Sequence, residues 1–345
     1  MPHADMKPGP VVCFGEVLLR FSAPDGEVLL QSPHLRVTIG GAEANVAVGL
    51  ARLGDAARMI SVVPDNALAH AALGELRRWG VDVGGVRFGP GRMGLYFLTP
   101  GAGLRPSDIL YDRVGAAFAR ADPAAVDWNA ELDGAARLHV SGVTPAIGPN
   151  GAAAAERAVA AANRLGVPVS FDGNYRSKLW AEWDGDGPAI LGSILAGADL
   201  AFVSDQDVGL ILGRRFDSRD PAQRLVAAAE AAFAAFPRLT RVAATTRLRH
   251  EVGRQTVAGH LVARGAAPVA TRAYEMSAIV DRIGGGDAFA AGLIHVLLAG
   301  QDDQAALDFA VAAAVAKHAV WGDFNLASAE DIAGILSGEV SDVRR

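Results

Sequence analysis

The stretch DRIGGGDAFAAGLIHVLL, residues 281–298, sets three glycines, Gly284, Gly285 and Gly286, directly before Asp287 at the start of an apolar helix. Glycine has no Cβ, so its N–H groups can turn toward a ligand and approach it closely. A helix over about 287–298 adds the partial positive charge of its N-terminus. Together these predict an anion hole suited to phosphate. A carboxylate at the rim of such a hole is costly unless it reacts. The fitting task for Asp287 is to take a proton from a hydroxyl that attacks a phosphoryl group. The same residues also read as a glycine-rich turn with Asp287 as the helix N-cap.

The rest of the chain bounds what such a hole can serve. Its 345 residues are 51% hydrophobic and 20% charged, the balance of a soluble globular protein with a large core. A net charge of −6 argues against nucleic-acid and anionic-membrane partners. An anionic substrate must then be captured by locally placed arginines. Cys13 is the single cysteine, which excludes intrachain disulfides and thiolate metal sites. Residues 1–10, MPHADMKPGP, lack a signal-peptide pattern and read as a disordered lead-in. Asp287, His295, Asp308 and Lys317 interrupt the late apolar stretches, so no membrane span is expected and the cytoplasm is the expected location.

Short β-branched runs alternate with Ala/Leu-rich segments. Strands are predicted over 10–19, 59–63, 137–140, 167–171, 200–203 and 242–245, and helices over 42–53, 66–79, 151–164, 187–196 and 221–235. Strand, crossover helix and strand in repetition predict an α/β fold, a mostly parallel open sheet covered on both faces. Residues 16–39 and 86–114 break that rhythm and read as a small β lid assembled from two excursions. A single domain over 11–340 follows, with no linker or repeat.

A second glycine motif, IGGAEANVAVGLARLG at 39–54, places Gly40 and Gly41 before a helix and Asn45 in its first turn. Such amides could bond sugar hydroxyls, or the segment is an ordinary strand-to-helix turn. Neither motif is a P-loop, since no Gly-Lys-Ser/Thr occurs, and neither is a dinucleotide fingerprint. In this order and separation, however, the pair resembles the two signatures of the PfkB, or ribokinase-like, carbohydrate kinase family, over roughly 11–335. The resemblance implies a ribokinase-like fold with a β-sheet lid and Mg-ATP-dependent phosphorylation of a sugar hydroxyl. It makes Asp287 the base and Gly284, Gly285 and Gly286 the phosphoryl hole, with Gly284 and Gly286 also touching nucleotide. The family's Asn-x-x-Glu motif, which organises Mg²⁺ and phosphate, corresponds to Ser204 and Asp207 in VSDQDVGLILG, leaving Asp207 as the metal and cofactor carboxylate. Thr245, Thr246 and Arg247 fall where the family contacts nucleotide, or form a polar loop. Lys317 and His318 fall in the region bordering adenine, or are surface residues.

Substrate identity rests on the lid and on arginines. Tyr96, Tyr111 and Arg113 fall on lid strands, with Tyr111 and Arg113 on one face at period two. Asp172, Asn174 and Arg176 in FDGNYRSKLW follow a strand, where open α/β sheets bind ligands. Two arginines converging on one pocket suit a carboxylate. This set resembles the 2-keto-3-deoxygluconate kinase branch, in which a lid tyrosine, a Tyr-x-Arg pair and an arginine after Asp-x-Asn bind a sugar acid. Gly40, Gly41 and Asn45 join Tyr96, Tyr111, Arg113 and Arg176 as expected substrate contacts. Arg20 leans the same way, toward an acidic ligand, or is a solvated strand residue. The alternatives are a kinase of a neutral sugar such as fructose or ribose, and a non-catalytic nucleotide- or sugar-binding regulator. Unpaired edges on a β lid also suggest a homodimer through the lids.

Overall fold

A computed structural model describes residues 9–338. The lead-in expected over 1–10 falls mostly on residues 1–8, outside the described residues. From Val11 the chain builds two sheets. The strands are β1 (Val11–Phe14), β2 (Leu18–Ser22), β3 (Arg36–Gly40), β4 (Ala57–Val63), β5 (Val86–Phe88), β6 (Gly94–Thr99) and β7 (Asp108–Asp112). There follow β8 (Arg137–Ser141), β9 (Val169–Asp172), β10 (Leu200–Phe202), β11 (Arg241–Glu251), β12 (Arg254–Ala263), β13 (Val269–Ala270) and β14 (Tyr274–Met276).

The large sheet runs β13-β12-β11-β10-β9-β8-β1-β4-β5, with β14 also paired to β12. From β11 to β5 every neighbouring pair is parallel, while β12 pairs antiparallel with β11, β13 and β14. Alternation along β1 shows why both faces carry helices: Val11 and Cys13 enter one apolar cluster, Val12 and Phe14 the other. The first cluster packs the helices Ala42–Arg52, Ala67–Arg78, Gly285–Leu298 and Asp303–Lys317. The second packs Pro149–Leu165, Gly187–Ala196 and Pro221–Ala235. The predicted helices therefore hold to within a few residues at their ends. Among the described residues no helix is long and apolar enough to cross a membrane.

The small sheet, β3-β2-β6-β7, has one parallel pair, β2 with β6. Its inner face sets Leu18, Tyr96 and Leu98 against Ile283 of the glycine-rich segment. Its outer face leaves Val37 54% and Leu110 59% exposed.

Three sequence boundaries need correction. The run 10–19 is not one strand, because β1 ends at Phe14 and β2 begins the other sheet at Leu18. At the break a Cβ on Gly15 would lie 2.1 Å from Glu43 Oε2, so the chain turns away where only glycine fits. Likewise the segment 86–114 does not belong wholly to the small sheet, since β5 extends the large one beside β4. The strand predicted over 242–245 is also longer, running to Glu251 as one arm of a hairpin with β12.

Candidate active site

The order β8-β1-β4 makes β1 the point where the chain reverses its progress across the sheet. Ligands of open α/β sheets bind beyond the carboxyl ends of strands at such a point. A cleft of about 360 Å³ opens there, between the large sheet and the inner face of the small one. It is lined by Gly41, Asn45, Tyr96, Tyr111, Arg113, Arg176 and Arg247, together with Gly284, Gly285, Gly286 and Asp287.

The two glycine motifs meet in it. In the helix Ala42–Arg52, Asn45 and Gly49 share a face at i and i+4, as do Asp287 and Ala291 in Gly285–Leu298. A Cβ on Gly49 would lie 2.8 Å from Ala291 Cβ, so the absence of that side chain lets the helices approach closely. One turn earlier, Asn45 Nδ2 donates to Asp287 Oδ2 at 2.6 Å. The N-cap reading of Asp287 fails, because Gly284 occupies the cap at φ 83° with no side-chain cap bond. Burial lifts the Asp287 carboxyl to about 7; Asn45 opposes the rise, while the carboxylates of Asp323 and Glu43 add to it. A carboxylate tuned there is a competent general base near neutral pH.

Each glycine of the hole has its own reason. At Gly284 the φ is left-handed and a Cβ would strike the Asp323 carbonyl at 1.9 Å. At Gly285 it would lie 2.9 Å from His318 Cε1 and 3.4 Å from Arg247 Nη2. At Gly286 nothing lies within 4 Å. No protein atom requires glycine at that last position, and the open space faces the cleft.

The remaining expected residues fall into three groups. Arg176 is exposed at the cleft rim, just after Asn174 turns the chain at φ 36°, and its single hydrogen bond is to the Tyr175 carbonyl at 3.4 Å. Its guanidinium is thus unpaired. Arg113 lines the cleft but donates from Nε to Glu16 Oε2 at 2.6 Å, an ion pair buried on both sides. Gly40 ends β3, where a Cβ would meet Asp323 Oδ2 at 2.2 Å. Arg20 is neither solvated nor facing the cleft. It is 1% exposed and paired with Asp281 at 2.7 Å and Asp323 at 3.0 Å. Those two acids, aided by Tyr96 donating to Asp323 Oδ2 at 2.7 Å, consume its charge.

Ser204 and Asp207 form a capping box at the helix Asp205–Leu212, with Asp207 Oδ2 accepting from Ser204 N and Oγ. Thr245 sits inside β11 and does not line the cleft, and Thr246 pairs with His260 Nε2 at 3.0 Å. Lys317 and His318 are not surface residues, and neither lines the cleft; both are buried behind the anion hole. Two charged residues not singled out in the sequence line the cleft, Arg282 and Asp323. Arg282 lies inside the quoted motif. Among the described residues neither it nor Arg247 has a hydrogen-bonded or ionic partner. Desolvation, then the charges of Arg282 and Arg249, push Arg247 below arginine's usual range; desolvation and Arg249 do the same to Arg282, with Asp281 opposing. Asp172 also lines the cleft; burial first, then Asp287 and Asp207, push its carboxyl well up.

A glycine run before a helix, a buried carboxylate and guanidiniums at a sheet switch point are an arrangement suited to phosphoryl transfer. Comparison with known proteins agrees. Residues 10–320 match the model of the pfkB family carbohydrate kinases, and the chain belongs to that family. It is 31% identical to a 2-dehydro-3-deoxygalactonokinase of Haloferax volcanii, covering 97% of this chain and 99% of the relative. It is 29% identical to a 2-dehydro-3-deoxygluconokinase of Thermoproteus tenax, covering 91% and 89%. The crystal structure of a 2-dehydro-3-deoxygluconokinase from Thermotoga maritima superposes with a TM-score of 0.90 at 36% identity, covering 96% of this chain and all 100% of the other. The fold is ribokinase-like, and the protein is a sugar kinase, a phosphotransferase acting on a sugar hydroxyl. That excludes the regulator reading.

Proposed function

We propose that the protein transfers the γ-phosphoryl group of MgATP to the terminal hydroxyl of a 2-keto-3-deoxy sugar acid of the gluconate or galactonate series. The observation that carries the acid is Arg176, an unpaired guanidinium on the sugar side of the cleft, beside Tyr111. A free guanidinium there matches a carboxylate and has little to do for a neutral sugar. The names of the two full-length relatives, one of each epimeric series, support the same class.

In this reading the sugar lies between Arg176 and Asp287, with Asn45 and the amides near Gly41 at its hydroxyls. Asp287 takes the proton of the attacking hydroxyl. Its oxygen bonds to the γ-phosphorus as the bridging oxygen leaves with ADP. The N–H groups of Gly284, Gly285 and Gly286, with Arg247 and Arg282, face the charge of the transferring group. Closure of the small sheet as a lid would exclude water and fix the line of attack.

Mg²⁺ fits as part of the nucleotide substrate. Among the described residues no cluster of three His, Cys, Asp or Glu could cage a metal. A Mg²⁺ that arrives on phosphates needs only one or two carboxylates. Asp207 is the carboxylate to which the family resemblance points, although it does not line the cleft, where Asp172 does, and its Oδ2 is committed to the helix cap. We also propose that the apolar outer face of the small sheet, with Val37 and Leu110, joins two copies.

A kinase of neutral sugars is the second reading. It is favoured by the Arg113–Glu16 pair, which leaves one unpaired arginine on the sugar side rather than two. An ADP-release assay on both 2-keto-3-deoxy acids, gluconate, fructose and ribose separates them. The proposal expects one or both keto acids to exceed fructose and ribose in kcat/KM by about 10–100-fold, the worth of one charged hydrogen-bond set. Fructose or ribose turning over as well as the acids would overturn it.

A further inference from the structure

Lys317 is 0% exposed, in a position where a lysine is rarely found without a partner. Among the described residues no carboxylate lies within ion-pair distance of it. Instead Nζ donates to two main-chain carbonyls, Val320 at 2.9 Å and Asp281 at 3.3 Å. Those oxygens come from the two segments that shape the back of the anion hole. Asp281 begins the glycine motif, and Val320 follows the helix Asp303–Lys317. Between them runs the lysine stem, whose Cε is 3.3 Å from the Cβ position of Gly284.

The same two segments are tied in several other places. Val280 N and Asp281 N donate to the His318 carbonyl, Gly322 N to Asp281 Oδ2, and Ile283 N to Asp281 Oδ1. Burial pulls the Lys317 ammonium down to about 8, against which the carboxylates of Asp281 and Asp323 act from beyond contact, their oxygens being held by Arg20, Tyr96 and these amides. A cation resting on carbonyl dipoles beside two buried acids has the surroundings in which proteins hold potassium or ammonium.

Resting on the kinase reading above, we infer that Lys317 is a positioning residue, a tethered monovalent cation that holds the Asp281–Gly284 backbone in the form that presents its N–H groups to phosphate. The protein thereby carries its own cation and needs no added one. Removing the ammonium leaves a polar space whose chemistry suits a free monovalent cation of similar size. Sodium and lithium, which are smaller, fill it poorly, and choline does not enter.

The test uses the full chain and Lys317→Met, in potassium, ammonium, sodium and choline chloride at one ionic strength. Melting temperature and single-substrate kinetics are both read. Wild type is expected to show the same kcat and the same Tm in all four salts. Lys317→Met is expected to lose about 10–100-fold in kcat, the scale of a misplaced reacting geometry, with smaller changes in KM. Potassium or ammonium, and not choline, should then raise both its Tm and its kcat. If the variant folds only with added cation, recovery of the far-ultraviolet circular dichroism by potassium or ammonium is the same positive result. Wild type that requires potassium overturns the inference. So does a variant that keeps wild-type kcat, one that responds alike to potassium, ammonium and choline, or one that folds in none of the salts. Failure of the kinase reading looks different: wild type turns over no sugar or sugar acid, while the Tm comparison still stands on its own.

Discussion

The two sides of the cleft handle charge in opposite ways. On the side of the small sheet, both arginines sent inward are neutralised, Arg20 by Asp281 and Asp323, and Arg113 by Glu16. On the side of the β11–β12 hairpin, Arg247 and Arg282 lie near the glycine hole with no acid paired to either. Paired buried charge fixes shape, because neither partner can leave without stranding the other. Unpaired charge is held for a ligand. In the proposed reading the phosphate end of the substrate pair is thus written strongly in the electrostatics, and the sugar end mostly in shape, with Arg176 as its free cation.

The largest break is at the seam between the two sides. Asp287→Asn should cut kcat by about 10²–10⁴-fold, the usual worth of a general base, measured by ADP release. The same change should raise the apo-protein Tm at pH 8. The folded carboxyl holds its proton more tightly than the unfolded one, so its contribution favours folding at low pH and is lost as pH rises through about 7. At pH 8 the wild-type cleft bears an ionised carboxylate that asparagine removes. By the same value, wild-type kcat/KM should fall as pH drops below about 7. A profile flat down to pH 5 would remove Asp287 as the base.

Next come the two kinds of arginine. Arg113→Ala strands Glu16, whose carboxyl burial already pushes up, and should cost about 3–5 kcal/mol of stability in chemical denaturation. Adding Glu16→Gln should restore much of that loss. Arg247→Ala and Arg282→Ala strand nothing and should leave stability within about 0.5 kcal/mol. They should raise KM for ATP by about 10–100-fold, with KM for the sugar little changed. Arg176→Ala should do the reverse, raising KM for the sugar acid and not for ATP. If Arg247 and Arg282 prove as stabilising as Arg113, the contrast between the sides disappears.

Much of this was legible in the sequence because it is local. Gly284 to Asp287 are consecutive, and a glycine run before an apolar helix has one physical reading once a second motif accompanies it. The helices were legible by periodicity, and their ends by residues such as Asn66, whose side chain accepts from Ala69 N. What failed was long-range. Arg20 meets Asp323 across 303 residues and Arg113 meets Glu16 across 97, so their charges looked free when they were spent. The burial of Lys317 is invisible in sequence for the same reason. Arg282 was in plain view and went unassigned, because only the fold reveals that Asp281 beside it is committed to Arg20.

The smallest effect tests Ser204 and Asp207, the pair that the resemblance matches to the family's Asn-x-x-Glu motif. Ser204 and Asp207 bond each other reciprocally at the start of the helix Asp205–Leu212, and that arrangement is a complete reason for both residues to be there. If capping is all they do, Ser204→Ala and Asp207→Asn should each cost about 1 kcal/mol, read as a small drop in denaturation midpoint, with kcat and the Mg²⁺ dependence of the rate unchanged. If Asp207 also reaches the nucleotide's metal, the two variants part company. Ser204→Ala still loses only stability, whereas Asp207→Asn shifts the Mg²⁺ concentration for half-maximal rate upward. That divergence would add a third element to the phosphate side, a carboxylate that binds through the metal what Arg247 and Arg282 bind directly.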